Sequence, residues 1–300
     1  MTAIRLDHLG KHYGRVLALK DVSLEVTRGE VFGFLGLNGA GKTTTIRILL
    51  DLVRPTSGRA VVFDRDCQRE GLAVRRQLGY LPGEPGFYGD MTGEATLDLL
   101  GQLSADRLDR AWRGELLERL ELSSSDLGRP IREYSTGMKR KLGIVQALQG
   151  DAPLLVLDEP TEGLDPRMQD SFYELLADLR RRERTVFMSS HVLPEVQRIC
   201  DRIGLLRDGE LVVLSTVAEL RRVAGRRVRI AFAEAAVPPP VWPTECEPIE
   251  LTPRTWELKV AGALGPLVAL LADRPVADLQ VHEPQLEDVL RDYYARPTRP

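Results

Sequence analysis

A glycine-rich loop between a predicted strand and a predicted helix constrains this chain more than any other feature. The apolar run at residues 31–35 is typical of a buried strand, and residues 45–50 begin a predicted helix. Between them, residues 36–44 read Gly-Leu-Asn-Gly-Ala-Gly-Lys-Thr-Thr. A loop that leads from a buried strand into a helix predicts an α/β fold whose sheet positions the loop.

The spacing of this loop indicates that it binds phosphate. Gly36, four further residues and then Gly41-Lys42-Thr43 form the pattern of a phosphate-binding loop. Glycines let backbone N–H groups approach phosphate oxygens, and the following helix adds the positive end of its dipole. A glycine-rich turn that binds nothing is the alternative, and the flanking strand and helix argue against it. The predicted phosphate-binding residues are Gly36, Asn38, Gly39, Gly41, Lys42, Thr43 and Thr44.

Composition restricts the classes of protein that remain. The chain has 300 residues, which exceeds one typical domain and predicts a large nucleotide-binding unit plus a smaller module. Its net charge of −3 gives no argument for nucleic-acid binding. Its three cysteines lack metal-ligand spacing, which fits a reducing environment. The sequence has neither a signal-peptide h-region nor an apolar run of about 18 residues, so work at a membrane would need another anchor.

A pair of acids follows a second buried strand. Residues 154–157 are apolar, and Asp158 and Glu159 come directly after them. Ligands bind at the carboxyl edge of open α/β sheets, where we expect these acids to lie. Asp158 and Thr43 would then hold Mg²⁺, and Glu159 would orient or deprotonate an attacking water. The alternative is a strand that ends in solvated acids, which the phosphate loop upstream makes less attractive.

His191 follows another apolar segment, residues 185–190. A histidine after a strand is more often a structural group than a catalytic one. If this strand lies parallel to residues 154–157, however, His191 reaches the same sheet edge as Glu159, within reach of a γ-phosphate.

The remaining pattern of the first 222 residues indicates two additions to the sheet. We predict three short strands at residues 4–9, 22–26 and 31–35. Strands before the phosphate loop indicate an antiparallel lobe beside the nucleotide. Tyr13, in a turn of this lobe, could stack on adenine, although simple packing is the commoner role of such a residue. Residues 84–150 are a predicted helical insertion. In it, Thr92 or Asp90 can cap a first helix, residues 109–120 have apolar positions at helical spacing, and a last helix covers residues 142–149.

Together these motifs resemble the nucleotide-binding subunit of ATP-binding cassette (ABC) transporters over residues 3–222. Residues 36–44 resemble Walker A, residues 154–159 resemble Walker B with its catalytic glutamate, and residues 189–191 resemble the switch histidine. Residues 163–165, ending in Asp165, resemble the D-loop. The most discriminating match is residues 134–138, Tyr-Ser-Thr-Gly-Met, which resemble the family signature.

The resemblance implies an ATPase that uses ATP and Mg²⁺ and works as a dimer, here most simply a homodimer. Tyr13 falls where the family stacks an aromatic ring on adenine. Ser135 and Gly137 of one copy would contact the nucleotide held by Walker A of the other, and Asp165 would lie near the same interface. A separate polytopic permease would complete the transporter, with this chain peripheral at the cytoplasmic face of the membrane. Nucleic acid is not expected as a partner.

Two departures from the family pattern stand out. The signature-like segment differs from Leu-Ser-Gly-Gly-Gln at three positions but keeps Ser135 and Gly137, so we expect its function to survive. Gly83 stands where the family usually has glutamine, and glycine has no side chain to contact Mg²⁺ or water. We predict either that Glu84 partly substitutes or that this loop serves only as a hinge.

Residues 223–300 are predicted to form a small α+β domain. Strands at residues 226–232 and 255–260, helices at 265–272 and 286–294 and an extended segment at 276–282 fit its pattern. Residues 285–290 resemble the tail of single-cassette drug and polysaccharide exporters, which favours export of drugs or other hydrophobic compounds. An arginine cluster between Arg221 and Arg229 could contact anionic lipid or a partner, although a solvated strand face is the simpler explanation.

Two alternatives stay open at this point. A soluble ABC ATPase acting on ribosomes or nucleic acid is disfavoured because the chain carries one cassette without long coiled coils. A regulatory module with negligible turnover is suggested only by Gly83, and the presence of Glu159 and His191 argues against it.

Overall fold

The computed structural model of the protein describes residues 1–103 and 109–282. It divides into two compact units, Met1–Leu214 and a second that begins at Ser215. The predicted division at residue 222 lies inside a helix, Val217–Ala224, that groups with the second unit. The predicted C-terminal helix at residues 286–294 lies outside the described residues.

Strands and helices of the first unit alternate after an initial hairpin. Its strands are β1 (Thr2–Tyr13), β2 (Val16–Thr27), β3 (Val31–Leu35), β4 (Ser57–Val62), β5 (Arg65–Asp66), β6 (Leu78–Leu81), β7 (Leu154–Asp158), β8 (Thr185–Ser190), β9 (Arg202–Arg207) and β10 (Glu210–Thr216). Its helices are α1 (Lys42–Leu49), α2 (Gly71–Arg75), α3 (Gly93–Gln102), α4 (Arg110–Arg119), α5 (Ser124–Leu127), α6 (Thr136–Leu148), α7 (Pro166–Arg181) and α8 (Leu193–Ile199).

A four-stranded antiparallel sheet, ordered β2-β1-β4-β5, forms the predicted lobe. The prediction of short first and second strands is wrong, because β1 and β2 are 12 residues each and pair from Thr2↔Thr27 to Tyr13↔Val16. A register shift lies between Leu6 and Leu9, where His8 has a φ of +49°. This irregularity interrupts the alternation of buried and exposed residues that reveals a strand in sequence.

The six-stranded sheet, ordered β10-β9-β3-β8-β7-β6, carries the predicted strand neighbours. The pairs β3·β8, β3·β9, β7·β8 and β6·β7 are parallel. All residues of β3, β7 and β8 are buried, as expected for strands covered on both faces. The prediction that the strand after residue 184 lies parallel to β7 is therefore confirmed, and the carboxyl ends of β3, β7 and β8 meet at one edge.

The helical insertion is less continuous than its sequence pattern predicts. Of the two candidate caps of the first helix, Thr92 caps α3, and the structure shows in addition that Asp109 caps α4. A short helix, α5, and a 3₁₀ turn at Ile131–Glu133 then interrupt it. The last helix, α6, begins at Thr136 rather than at residue 142, because the Ser135 hydroxyl accepts a hydrogen bond from Met138 N and caps the helix.

Two turns of the first unit depend on positive φ angles. Strand β4 ends at Val62, since Phe63 and Asp64 both have positive φ angles and form a turn. The turn between β9 and β10 is of the Asp-Gly type, and Asp208 and Gly209 have φ angles of +49° and +81°.

The second unit contains α9 (Val217–Ala224), β11 (Arg226–Phe232), β12 (Cys246–Leu251), β13 (Thr255–Val260), α10 (Gly265–Leu271) and β14 (Val276–His282). Its sheet is antiparallel with the order β12-β13-β11-β14. The fully buried Trp256 anchors its core, with its ring 4.5 Å from that of Phe232. Sequence analysis missed β12 because Pro248 interrupts its pattern, and proline is tolerated there because β12 is an edge strand.

Candidate active site

An open cleft of about 540 Å³ lies where the glycine-rich loop meets the carboxyl end of β7, a volume within the usual range for small-molecule sites. Most of the lining residues are ones that the sequence analysis names as site candidates. The others lie in the glycine-rich loop, in β2, α1 and β6, and in the segments that follow β6 and β7. The lining residues are Ala18, Leu37, Asn38, Gly39, Gly41, Lys42, Thr43, Thr44, Arg47, Tyr80, Pro82, Gly83, Glu84, Asp158, Glu159 and Glu162.

Backbone geometry shapes the glycine-rich loop for an anion. Gly39 and Gly41 have φ angles of +82° and +110°, which favour glycine. A Cβ at Gly41 would lie 2.6 Å from the carbonyl oxygen of Ala18, so a side chain would also collide with β2. Gly41 begins α1 without a side-chain cap from any described residue. The first N–H groups of α1 are therefore available to a ligand, which is how helix N-termini bind phosphate.

Lys42 carries a buried positive charge at the base of this loop. Its Nζ donates to the carbonyl oxygen of Gly36 over 2.6 Å and lies 3.2 Å from Glu159 Oε1. The Lys42 side chain is 6% exposed and that of Glu159 is 16% exposed. The ammonium therefore lies between the loop and Glu159. From this position it can attract an oxygen of a phosphate that the loop binds.

Asp158 connects the loop with the neighbouring strand β8. Its Oδ2 accepts from the Thr43 hydroxyl over 3.1 Å, and its Oδ1 accepts from the Ser189 hydroxyl. Ser189 Oγ in turn accepts from Glu159 N over 3.0 Å. The facing oxygens of Thr43 and Asp158 form the type of donor set that suits Mg²⁺, which prefers hydroxyl, carboxylate, phosphate and water ligands.

Glu159 and His191 lie together at the sheet edge. His191 Nδ1 is 2.9 Å from Glu159 Oε2, which confirms that the two side chains share one edge. Glu159 has a φ of +48°, a sparsely populated conformation for a residue with a side chain. The backbone bond to Ser189 and the contacts with Lys42 and His191 hold the carboxylate in this position. A carboxylate so oriented can act as a base toward water.

Six predicted site residues do not line the cleft. Two of them, Gly36 and His191, contact lining residues, namely Lys42 and Glu159, and the other four lie elsewhere. Tyr13 ends β1 and is 43% exposed, and the Lys11 ammonium lies 4.8 Å from the centroid of its ring. Ser135 caps α6, and Asp165 caps α7 by accepting from Met168 N over 3.0 Å. A Cβ at Gly137 would lie 3.1 Å from the carbonyl oxygen of Gly163, so the signature-like and D-loop-like segments touch within one chain.

The loop after β6 approaches the cleft at Gly83, the residue that stands where the family usually has glutamine. A Cβ at Gly83 would lie 3.7 Å from Asp158 Oδ2, an ordinary van der Waals contact. Glu84 lines the cleft beside it. The missing side chain at residue 83 is thus next to the acid predicted to hold Mg²⁺, and the only carboxylate that this loop offers to the cleft is that of Glu84.

Sequence reasoning missed several residues that support the site. Arg140 is buried on α6 and bonds to the cleft-lining segments. Glu195, also buried, accepts from Thr161 Oγ1 over 2.5 Å and from Ser190 Oγ over 3.0 Å, so it joins the segments that follow β7 and β8. No local spacing separates these two from ordinary charged positions on α6 and α8, and only their burial reveals them.

The fold and the cleft define a phosphate-loop protein that binds a nucleotide. The glycine-rich loop, its buried lysine and two strand-end acids converge at the carboxyl edge of a largely parallel sheet.

Comparisons with known proteins identify the branch of this class. The ABC transporter family matches residues 19–162. The daunorubicin resistance ATP-binding protein DrrA3 of Streptomyces coeruleorubidus is 39% identical over 78% of this chain and 75% of its own length. The bacitracin transport ATP-binding protein BcrA of Bacillus licheniformis is 36% identical over 70% of this chain and 69% of its own.

A solved structure described as the ATP-binding subunit of an ABC transporter is 30% identical, with a TM-score of 0.68 over 74% of this chain and 92% of that structure. The chain belongs to the ATP-binding subunits of ABC transporters, as the signature-like segment predicts. It is accordingly an ATPase, and its family works with membrane permease subunits and forms dimers.

Proposed function

We propose that this chain powers the export of a drug or another hydrophobic compound through a permease encoded as a separate chain. The observation that carries the ATPase part is the convergence of Lys42, Glu159 and His191 beside the phosphate loop. The export part is supported by the descriptions of two relatives, one of daunorubicin resistance and one of bacitracin transport.

In the proposed reaction, the uncapped start of α1 and the Lys42 ammonium bind the phosphates of ATP. Glu159 accepts the proton of the attacking water, and His191 orients Glu159 through the bond at Nδ1. Thr43 and Asp158 would hold Mg²⁺, which neutralises charge on the phosphate oxygens when it is bound. The carboxylate of Glu159 is already placed near the ammonium, so little reorganisation is needed before reaction.

A second copy of the chain is part of this proposal. Ser135 and Gly137 lie outside the cleft of their own chain, which fits residues that complete the cleft of another copy. The Ser135 oxygen accepts from Met138 N, and its hydroxyl hydrogen is left to donate to a phosphate oxygen. We propose a homodimer in which Tyr13 stacks on adenine and Asp165 lies near the interface.

The proposed location is the cytoplasmic face of the membrane, where the chain binds as a peripheral subunit. Among the described residues, no helix is both long and apolar enough to cross a bilayer. Attachment would therefore run through the permease, with the helical insertion as the surface that docks on it. The second unit, which begins at Ser215, is proposed as an accessory α+β domain of exporter-type subunits.

The experiment that tests this proposal is gentle purification of the tagged chain from its native membranes, followed by mass spectrometry of what copurifies. We expect a polytopic membrane protein in stoichiometric amount, and reconstitution of the pair should give ATP-dependent export. Copurification of ribosomal or DNA-bound proteins without a membrane protein would instead favour the soluble-ATPase alternative. A permease that copurifies in a complex without ATP hydrolysis would favour the alternative of a regulatory module with negligible turnover.

A further inference from the structure

Arg140 is a buried cation that the reaction described above does not use. It lies one turn into α6 and is 4% exposed. Its closest carboxylate, that of Glu162, is 3.9 Å away and 65% exposed. Burying a guanidinium without a tightly paired acid is costly unless its N–H groups find other acceptors.

Those acceptors are backbone carbonyls of two segments that line the cleft. Arg140 Nη1 donates to the Pro82 carbonyl over 3.0 Å, and Nη2 donates to the Gly83 carbonyl. Nε donates to the Glu162 carbonyl over 3.0 Å. One planar fork therefore holds the loop after β6 and the segment after β7 at a fixed distance from each other. Lysine cannot reproduce this pattern, because its ammonium has no rigid fork.

The same guanidinium lies in the electrostatic field of the cleft. Burial lowers the pKa of the Arg140 guanidinium, while four carboxylates raise it, those of Glu162, Asp158, Glu159 and Glu84. The guanidinium charge therefore interacts with the acids of the cleft as well as with the backbone carbonyls that it binds.

We propose that Arg140 is a positioning residue that fixes the loop 82–84 against the acids of the cleft and couples that loop to the start of α6. The coupling is direct because Ser135 caps the helix that carries Arg140, so a displacement of this helix moves the guanidinium and both segments bound to it. In a loop whose residue 83 has no side chain, this backbone attachment takes over the positioning of Glu84. The inference rests on the proposed two-copy ATPase reaction.

The test compares the full-length parent with Arg140→Lys, Arg140→Gln and, as a control, Arg132→Gln. Arg132 is a surface arginine whose side chain is 62% exposed and pairs with Asp90. We expect Arg140→Gln to lower kcat on the order of 10- to 100-fold, because displaced reacting groups cost this much. ATP affinity, measured with a fluorescent analogue, should change less than about 3-fold, since the phosphate loop is intact. Arg140→Lys should recover little, and Arg132→Gln should match the parent.

Hydrogen–deuterium exchange of the nucleotide-free chain gives a second readout that does not depend on hydrolysis. Uptake in peptides covering residues 82–84 should rise in both Arg140 variants and not in Arg132→Gln. Unchanged uptake, or full recovery of kcat by Arg140→Lys, would overturn the positioning role. Loss of ATP binding in proportion to loss of kcat would do so too, because it would indicate general unfolding. If the parent itself hydrolyses no ATP with its permease, the proposed function fails while the exchange experiment still decides the role of Arg140.

Discussion

Two helix N-termini of this molecule, those of α1 and α6, lie at the phosphate loop and at the signature-like segment, and they are built in opposite ways. Helix α1 is preceded by Gly41, which offers no side-chain cap, and its first residue, Lys42, is buried in the cleft. Helix α6 begins after Ser135, whose hydroxyl caps Met138 N, and its first turn lies outside the cleft of the same chain.

The difference shows how one chain can hold two unequal parts of a nucleotide site. The α1 end leaves backbone donors unsatisfied and surrounds them with the chain's own lysine, acids and imidazole, so it is prepared for phosphate. The α6 end is already satisfied by its own cap and stable without a ligand. It is thus suited to present Ser135 to a nucleotide held by another copy.

The largest expected effect concerns the α1 end and follows from Glu159→Gln. Glutamine keeps the shape of the side chain but cannot accept the proton of water, so kcat should fall about 10²- to 10⁴-fold. ATP binding should be retained, because Lys42 and the loop remain. The measurement is steady-state ATPase activity alongside nucleotide binding, with Glu174→Gln, on an exposed position of α7, as the control. Activity near that of the parent would mean that another group serves as the base.

The second prediction tests whether the α6 end acts on a different copy. Lys42→Ala and Ser135→Ala should each abolish most activity alone. Mixed at equal amounts and allowed to exchange subunits, they should regain about one quarter of the parent rate, since half of the dimers carry one intact composite site.

Each variant incubated alone under the same exchange conditions serves as the control for this mixing experiment. If the mixture stays as inactive as its components, the proposal that Ser135 acts on the nucleotide of another copy is wrong. Ser135 then acts within its own chain or only as a helix cap.

The third prediction concerns the loop 82–84, which lines the cleft at the α1 end and is bound to helix α6 through Arg140. Glu84→Ala should lower kcat by roughly 3- to 10-fold if its carboxylate replaces the missing side chain at residue 83, a smaller effect than loss of the base itself. Gly83→Gln should be tolerated, because a Cβ at residue 83 meets nothing closer than 3.7 Å, and it should compensate for Glu84→Ala. Rates of the two single variants and the double variant provide the measurement. An unchanged Glu84→Ala rate would leave the loop as a hinge only.

The smallest expected effect is that of Ser123→Ala, which measures how much a helix cap that contacts no ligand contributes to the free energy of unfolding. Ser123 caps α5 in a capping box with Asp126, away from the cleft. Ser123→Ala should cost about 1 kcal/mol of unfolding free energy and leave ATPase activity unchanged. Comparison with Ser135→Ala then separates the cap of α6 from its proposed contact with nucleotide. A Ser123→Ala variant with reduced kcat would show that this control is not neutral.

The pH dependence of this cap has a definite sign. Hydrogen bonds from Ser123 lower the pKa of Asp126 in the folded protein. A group with a depressed folded pKa stabilises the fold fully above its unfolded pKa of about 3.9 and loses that contribution as pH falls through the folded value. The melting difference between the parent and Asp126→Asn should therefore be constant near neutral pH and shrink below about pH 4. A difference that grows on acidification would contradict this assignment.

Sequence by itself determined the parts of the site whose chemistry is local. A few consecutive residues are enough to identify the glycine spacing before Lys42, the acids Asp158 and Glu159 at the carboxyl end of β7, and His191 directly after β8. The burial of three neighbouring strands then requires them to share one sheet edge. For that reason a shared edge for Glu159 and His191 could be expected from the sequence, whereas the 2.9 Å distance between His191 Nδ1 and Glu159 Oε2 is a result of the structure.

Only the tertiary structure decided the roles of the buried supporting residues. These roles depend on hydrogen bonds with segments that are distant in the sequence. Arg140 is one basic residue among three on α6 until its fork is seen to bind carbonyls of residues 82, 83 and 162. Glu195 is an ordinary helical acid until Thr161 and Ser190 are seen beside it. The length of β1 was hidden by the irregularity at His8. Periodicity reports the face of an element that is buried, whereas the partner of a buried polar group is set by packing between distant segments.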